Sequence, residues 1–372
     1  MSLSFGKNIR VQIFGQSHAA GIGAVIDGLP AGEAVDAEEL AAFLARRAPG
    51  KNRMSTQRKE SDAPEFVSGL LEGRTCGAPV AALIRNQDTR SQDYRAIADL
   101  PRPSHADFPA DVRYRGWQDV RGGGAFSARL TAPLCVAGGI ALQILKRRGV
   151  TVAAHVLSIG SVNDRPFNPL GESEEALAAR LTRTPATLSA EAAAAMAAEI
   201  EAARKSADSV GGVVECMITG LTVGLGGPLF EGLDGRLAFA VFGIPGVKGV
   251  EFGEGFHASR LHGSENNDPY RMEGGRIVPA SNRAGGIAGG MTTGAPVIFR
   301  AAFKPTPSIG RDQETVSLSK KENAVLRIVG RHDPCITVRA VPVVEAAAAL
   351  TALDALLDAP AVFPDTPRKE AI

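Results

Sequence analysis

The sequence predicts a mixed α/β or α+β fold. Apolar strand-like runs are interspersed irregularly with helical stretches. One helical stretch, residues 131–148, carries no charge before Lys146 and is therefore expected to be buried. A long apolar helix with strands before and after it in sequence needs a layered core to cover it.

Residues 10–14, Arg-Val-Gln-Ile-Phe, alternate polar and apolar and predict a strand. Residues 21–32 predict a second strand followed by a turn. Asp36 then caps a helix, with Glu39 three residues on and Leu40, Phe43 and Leu44 as the apolar stripe. Pro49-Gly50 ends that helix. Within residues 131–148, Leu134, Ile140, Ile144 and Leu145 lie among small residues. Val152–Val156, Val213–Ile218 and Val297–Phe303 read as strands. Residues 189–205 read as a peripheral Ala/Glu-rich helix capped by Ser189, and 345–358 as a C-terminal Ala/Leu helix. Ala24–Gly32 and Cys216–Gly224 both read as a strand closing on Gly-Leu-x-x-Gly, a faint echo of a duplicated strand–helix unit.

At 372 residues and 44% apolar content the chain is globular, not disordered. Lys+Arg is 41 against Asp+Glu 40, a net charge of +1, which argues against nucleic-acid or membrane-surface binding. No apolar run approaches the roughly 18 residues of a membrane span, and Met1–Lys7 lacks the apolar stretch of a signal peptide. The expected location is cytoplasmic. Cys76, Cys135, Cys216 and Cys335 are widely spaced without a Cys-x-x-Cys pair, so buried free thiols are expected in place of a metal site or disulfide framework. No low-complexity linker divides the chain. It is read as a single domain, 1–372, whose last ~15 residues form a tail.

Three motifs place ionisable side chains among small residues: Gly15-Gln16-Ser17-His18, Arg102-Pro103-Ser104-His105-Ala106-Asp107 and Gly330-Arg331-His332-Asp333-Pro334. They hold three of the six histidines, and a histidine beside flexible backbone can move a proton near neutral pH. Taken singly, His18 and His105 also fit as satisfied core histidines. Asp107 follows His105 closely enough to orient its ring. From Arg46 to Glu60 six cations face one acid, a balance of +5 that reads either as a solvated loop or as an anion-binding segment. Arg121-Gly122-Gly123-Gly124, ahead of the buried helix, reads either as a common turn or, flanked by Arg121 and Arg129, as a phosphate cradle of exposed N–H groups. Lys304-Pro305-Thr306-Pro307-Ser308 offers a cation and two hydroxyls at a strand end, or a rigid turn. There is no Gly-x-Ser-x-Gly, P-loop or Gly-x-Gly-x-x-Gly opening a helix. Unaided, these residues read as acid–base chemistry on a small polyanion, with no reaction named.

From about Lys7 to Leu357 the chain resembles the chorismate synthase family. The blocks that carry the resemblance are Phe14–His18, Ser55–Glu60, Asp88–Tyr94, Arg102–Asp107, Gly246–Glu251, Ala284-Gly285-Gly286 and Arg331–Pro334. The resemblance implies an α+β fold with a helical layer between two antiparallel β-sheets, usually in a homotetramer. It implies conversion of 5-enolpyruvylshikimate 3-phosphate to chorismate and phosphate, a carbon–oxygen lyase step of the shikimate pathway that requires reduced FMN. Some members reduce the flavin themselves with NADPH, and no separate nicotinamide motif is visible in this chain. By resemblance His18 protonates the departing phosphate, His105 keeps the flavin in its reactive charge state and Asp333 assists deprotonation. Arg47, Arg53, Arg129 and Arg339 hold the substrate's carboxylates and phosphate. Ala125, Phe126, Ser127, Gly289, Lys304, Pro305, Thr306, Pro307, Ser308 and Arg331 contact FMN.

Two segments depart from the family pattern. Gly-Glu-Ser-His-Gly appears as Gly15-Gln16-Ser17-His18-Ala19, and Arg-Ser-Ser before Ala-Arg appears as Ala125-Phe126-Ser127. The alternatives are a paralogue acting on a similar phosphorylated cyclohexene, or a binder of it without turnover.

Overall fold

Two five-stranded antiparallel sheets enclose a helical layer in the computed structural model, which describes residues 3–50, 54, 62–87, 98–328 and 333–358. The first sheet contains β1 (Ser4–Phe5), β2 (Arg10–Gly15), β3 (Gly21–Asp27), β4 (Glu65–Ser68) and β5 (Val80–Arg85), in spatial order β1-β2-β3-β5-β4. The second contains β6 (Thr151–Ile159), β7 (Val162–Asn163), β8 (Gly212–Thr219), β9 (Val247–Phe252) and β10 (Val297–Phe303), in order β9-β10-β8-β6-β7. The two echo segments enter as β3 and β8, each the middle strand of its sheet. Ile26 stands opposite Val11 and Val80, and Cys216 opposite Phe299 and Ala154, so both middle strands are walled by apolar neighbours.

The helices are α1 (Ala37–Arg47), α2 (Asp107–Tyr114), α3 (Thr131–Arg147), α4 (Glu174–Arg180), α5 (Ala190–Lys205), α6 (Leu233–Phe242) and α7 (Thr337–Asp358), with a further single turn at Gly263–Asn266. α3 packs on β3 and β5, α7 packs on β6 and β8, and the two helices pack on each other. Small residues let them touch. A Cβ added at Gly138 would lie 2.2 Å from the Ala346 Cβ and 2.4 Å from its Cα. At Gly139 it would lie 2.5 Å from Leu40 Cδ1 on α1.

By length and composition Ala128–Arg147 and Thr337–Asp358 are long and apolar enough to cross a membrane, contrary to the sequence expectation. Their apolar windows are 83% and 89% buried inside the protein, which makes them core helices. α7 also begins at Thr337 and not at 345, because Pro342 is accommodated within its early turns.

The Asp36 carboxylate accepts from the Glu38 and Glu39 N–H groups at 2.9 Å, as expected of an N-cap. Glu39 does not complete a capping box. Its carboxylate takes Lys146 Nζ at 2.9 Å, and the Asp36 N–H donates to Gln143 Oε1 at 2.8 Å, so both tie α1 to α3. Ser189 caps α5, whose Met196 and Ile200 are fully buried.

The two ends of the described fold meet. The Asp354 carboxylate on α7 accepts from the N–H groups of Asn8 (2.7 Å) and Ile9 (2.8 Å) and from Arg236 of α6 (2.6 Å).

A buried ionic cluster crosses the second sheet. His155 Nε2 lies 3.1 Å from Glu215 Oε2 and Nδ1 lies 3.4 Å from Asp164 Oδ2, while Arg300 donates to Glu215 Oε1 at 3.0 Å. Burial alone would lower the His155 pKa, but the two carboxylates outweigh it and raise the value. Cys135, Cys216 and Cys335 are buried as expected, and burial pushes the Cys135 thiol up to about 12. Cys76 departs from the expectation and is exposed.

Candidate active site

Loops from both sheets and the start of α7 converge on one open cavity of about 550 Å³. Ser17, Arg47, Arg102, His105, Gly122, Ala125, Phe126, Ser127, Arg129, Asp333 and Arg339 line it, together with Lys304 through Ser308. Ser17 of the first motif and His105 of the second thus share a site with Asp333 of the third, whereas His18 itself does not line the cavity. Arg53 and Arg331, together with the blocks 55–60 and 88–94, lie outside the described residues.

His18 follows β2 on a tight loop and is 8% exposed. The triple glycine threads between the two histidines. A Cβ at Gly122 would fall 2.3 Å from His18 Nδ1 and Cε1, and one at Gly123 would fall 3.2 Å from His105 Nε2. All three glycines have positive φ, and Gly124 O accepts from the Ser17 N–H at 3.2 Å. The run is therefore not the expected cradle at a helix start. It is a close-packed strap against which both imidazoles rest.

His105 is oriented by the residue the motif suggested. Its Nδ1 lies 2.6 Å from Asp107 Oδ1, which directs Nε2 toward Gly123 and the cavity. Arg102 closes the arrangement, donating through Nε (2.7 Å) and its terminal nitrogen (2.8 Å) to both Asp107 oxygens and to Ser308 Oγ at 3.2 Å. Burial alone would raise the Asp107 carboxyl, but hydrogen bonds and charge from Arg102 and His105 hold it well below the carboxylate range. An ionised Asp107 accepts a hydrogen bond from Nδ1–H, which fixes the tautomer.

Arg47 and Arg129, buried on the cavity wall, each bond a different oxygen of Asp62. Arg47 Nε also donates to Thr131 Oγ1 at 3.1 Å, and Arg129 Nε to Asn86 Oδ1 at 3.1 Å. Asn86 in turn donates to Ala19 O at 2.9 Å, tying Arg129 to the His18 loop. Arg339 pairs with Asp333 at 2.7 Å and donates to Arg47 O at 2.9 Å. Arg46, the first cation of the basic run, turns away to Glu345 of α7 at 2.6 Å.

Lys304 donates to the Ser104 carbonyl oxygen, and Lys248 lines the same cavity. Burial first, and then the Lys248 charge, lower the Lys304 pKa. Two neighbouring ammonium groups in a partly dry cavity call for an anion. The Thr306 Oγ1 is buried in this wall with no hydrogen-bond partner among the described residues. Gly289 does not line the cavity. It sits with Gly290 in a two-residue turn between Ile287–Ala288 and Met291–Thr292, where φ of +60° and +81° suits the hairpin.

Asp62, Asn86 and Lys248 were missed as site residues by the sequence reading, and Arg102 was quoted without a role. Signals exist for two of these: Arg102 lies within the motif that also holds Asp107, and Lys248 lies within the Gly246–Glu251 block.

A family model described as chorismate synthase matches residues 9–357. A chorismate synthase of Lancefieldella parvula is 47% identical over 371 residues, covering 97% of both chains. One from Korarchaeum cryptofilum is 44% identical over 95% of this chain and 97% of its own length. One from Methanosarcina barkeri is 45% identical over 97% and 98%. A solved structure described as a crystal structure of chorismate synthase superposes with a TM-score of 0.75 at 27% identity, covering 95% of this chain and 93% of the other.

Proposed function

The chain belongs to the chorismate synthase family, and from that premise we propose how its residues divide the work of the reaction. It is a carbon–oxygen lyase that forms chorismate and phosphate from 5-enolpyruvylshikimate 3-phosphate in the shikimate pathway, and its family uses reduced FMN.

The cavity fits a flavin nucleotide. Its volume lies within the ordinary range for small-molecule sites. Phe126, Pro305 and Pro307 supply apolar wall for a ring system, Ser127 and the unpartnered Thr306 Oγ1 supply polar contacts, and Lys304 supplies a cation. Ala125 contributes backbone and packing alone. When bound, the reduced flavin supplies transient electron density to the breaking C–O bond.

This chain's residues do the remainder. The substrate carries a phosphate and two carboxylates, and Arg47, Arg129 and Arg339 present guanidinium groups at the cavity wall. Arg53 joins this set by resemblance. His18, resting on Gly122, gives its proton to the departing phosphate oxygen. His105, held by Asp107, keeps its Nε2 toward the cavity and governs the protonation state of the cofactor site. Asp333, one oxygen of which holds Arg339, receives the ring proton.

The observation carrying this reading is the convergence of His105, Asp333 and the Gly122 strap of His18 on one arginine-walled cavity. Anaerobic incubation with reduced FMN and substrate, followed by chorismate absorbance and phosphate release, tests it. His18→Ala and His105→Ala are each expected to lower turnover at least ~100-fold with the fold retained. Full rate across the pH range in either variant would remove that residue from proton transfer.

The same reading takes the chain as one domain in the cytoplasm, assembled as a homotetramer. The exposed Leu229, Phe230 and Phe256 support the assembly, which sedimentation measures. NADPH is a candidate reductant for that flavin, and anaerobic bleaching of FMN absorbance with no other reductase present tests whether this chain uses it.

A further inference from the structure

We propose that Asp62 is a positioning residue for substrate: its carboxylate, placed behind Arg47 and Arg129, sets the spacing and charge of that guanidinium pair. The inference rests on the reading above that both arginines hold anionic groups of the ligand.

Asp62 comes from the segment before β4, Arg47 from the last turn of α1, and Arg129 from the short turn that leads into α3. The Asp62 side chain is fully buried, and those of Arg47 and Arg129 are 3% and 4% exposed. Arg47 and Arg129 line the cavity, whereas Asp62 does not. The carboxylate therefore stands on the far side of the pair from the ligand and takes one nitrogen of each arginine. Further contacts, Arg47 to Thr131 and Arg129 to Asn86, hold the Nε edges, and Arg47 Nη2 also donates to Ala128 O at 3.3 Å. Each planar fork is thus fixed from behind, as recognition of carboxylate or phosphate requires.

Two guanidinium groups this far from water repel each other strongly, and one carboxylate between them reduces the trio from +2 to +1. Burial opposes ionisation of Asp62, but the charges of Arg47 and Arg129 prevail and lower its pKa, so it stays anionic at working pH. The backbone points the same way. Asp62 has φ of +52°, a left-handed state that aspartate tolerates better than most residues and that persists only where surroundings impose it.

Asp62→Asn keeps the size and the tolerance for positive φ but turns an N–H group toward one arginine. With reduced FMN saturating, KM for the enolpyruvyl phosphate is expected to rise about tenfold or more, with kcat within about threefold and FMN affinity unchanged. Arg129→Gln serves as the reference. If Arg129→Gln raises KM and Asp62→Asn does not, the positioning role is refuted while the arginine assignment stands. If neither raises KM, the assignment of these arginines to substrate fails first. A lower KM in Asp62→Asn would show that Asp62 competes with the ligand, which also overturns the proposal. Should Asp62→Asn fail to fold, Asp62→Asn/Arg129→Gln retains the buried charge of the parent trio. Its KM is expected to exceed that of Arg129→Gln alone, because Arg47 then loses its carboxylate brace and keeps only Thr131 and Ala128, and equal values would refute the role.

Discussion

Replacing Gly122 by alanine separates the placement of His18 from the stability of the fold. The residue has φ of +60°, a state that costs an L-residue about 1–2 kcal/mol. Its new Cβ would stand 2.3 Å from His18 Nδ1 and Cε1 and 2.6 Å from Ser17 Oγ, whereas real Cβ contacts essentially never fall below 3.0 Å. The ring must therefore withdraw by roughly 0.7 Å, and misplacement approaching an ångström costs about 100-fold in rate. Gly123→Ala is the internal control. Its φ of +84° incurs a similar backbone cost, but its Cβ would stand 3.2 Å from His105 Nε2, so that ring need give only a few tenths of an ångström. Both variants are expected to show similar falls in thermal midpoint. In anaerobic turnover with reduced FMN, Gly122→Ala is expected to lose about 100-fold in kcat and Gly123→Ala less than about tenfold. Equal rate losses would show that backbone strain controls turnover and not the His18 ring. Unimpaired turnover in Gly122→Ala would remove His18 from the reaction.

Gly138→Ala addresses the core and not the chemistry: its Cβ would overlap Ala346 at 2.2 Å, so a loss of about 1–3 kcal/mol is expected in urea unfolding, with KM unchanged. A neutral or stabilised variant would mean that α3 and α7 separate without penalty. The His155 cluster gives stability a pH dependence with a definite sign. The raised His155 value contributes fully below about pH 6.5 and is lost as pH climbs through the folded pKa. In Asp164 and Glu215, burial opposes the lowering, but hydrogen bonds from His155 prevail; their contribution is present above about pH 4 and is lost as pH falls. The parent is therefore expected to lose stability as pH rises above about 6.5, and His155→Gln to flatten that decline. Identical slopes in urea midpoints would show that the cluster does not titrate there.

Patterns that depend on one local face were readable from the sequence. β10 runs from Val297 to Phe303 as expected, and the 131–148 segment, uncharged before Lys146, became a core helix within a residue of its expected end. The start of α7 was hidden because Pro342 reads as a breaker, whereas packing holds it inside a helix. Adjacent Arg46 and Arg47 look equivalent in the basic run. One helical step of about 100° sends the first to Glu345 and the second to the cavity. The triple glycine shows its freedom in sequence but not what approaches it, and two imidazole rings do. Asp62 and Asn86 are single polar residues whose partner Arg129 lies 67 and 43 positions away, so no local pattern announces them. The histidine motifs were legible because each packs its chemistry into a few consecutive residues, as His105 and Asp107 do.

The clasp between Asp354 and the N–H groups of Asn8 and Ile9 has a consequence for biosynthesis. Translation delivers the opening strands of the first sheet long before it delivers the helix that anchors them. Until α7 leaves the ribosome, α3 lacks its principal partner, and the cavity lacks Arg339. Folding is thereby deferred until α7 has been made, and a nascent chain shows neither finished core nor working site before that helix has emerged.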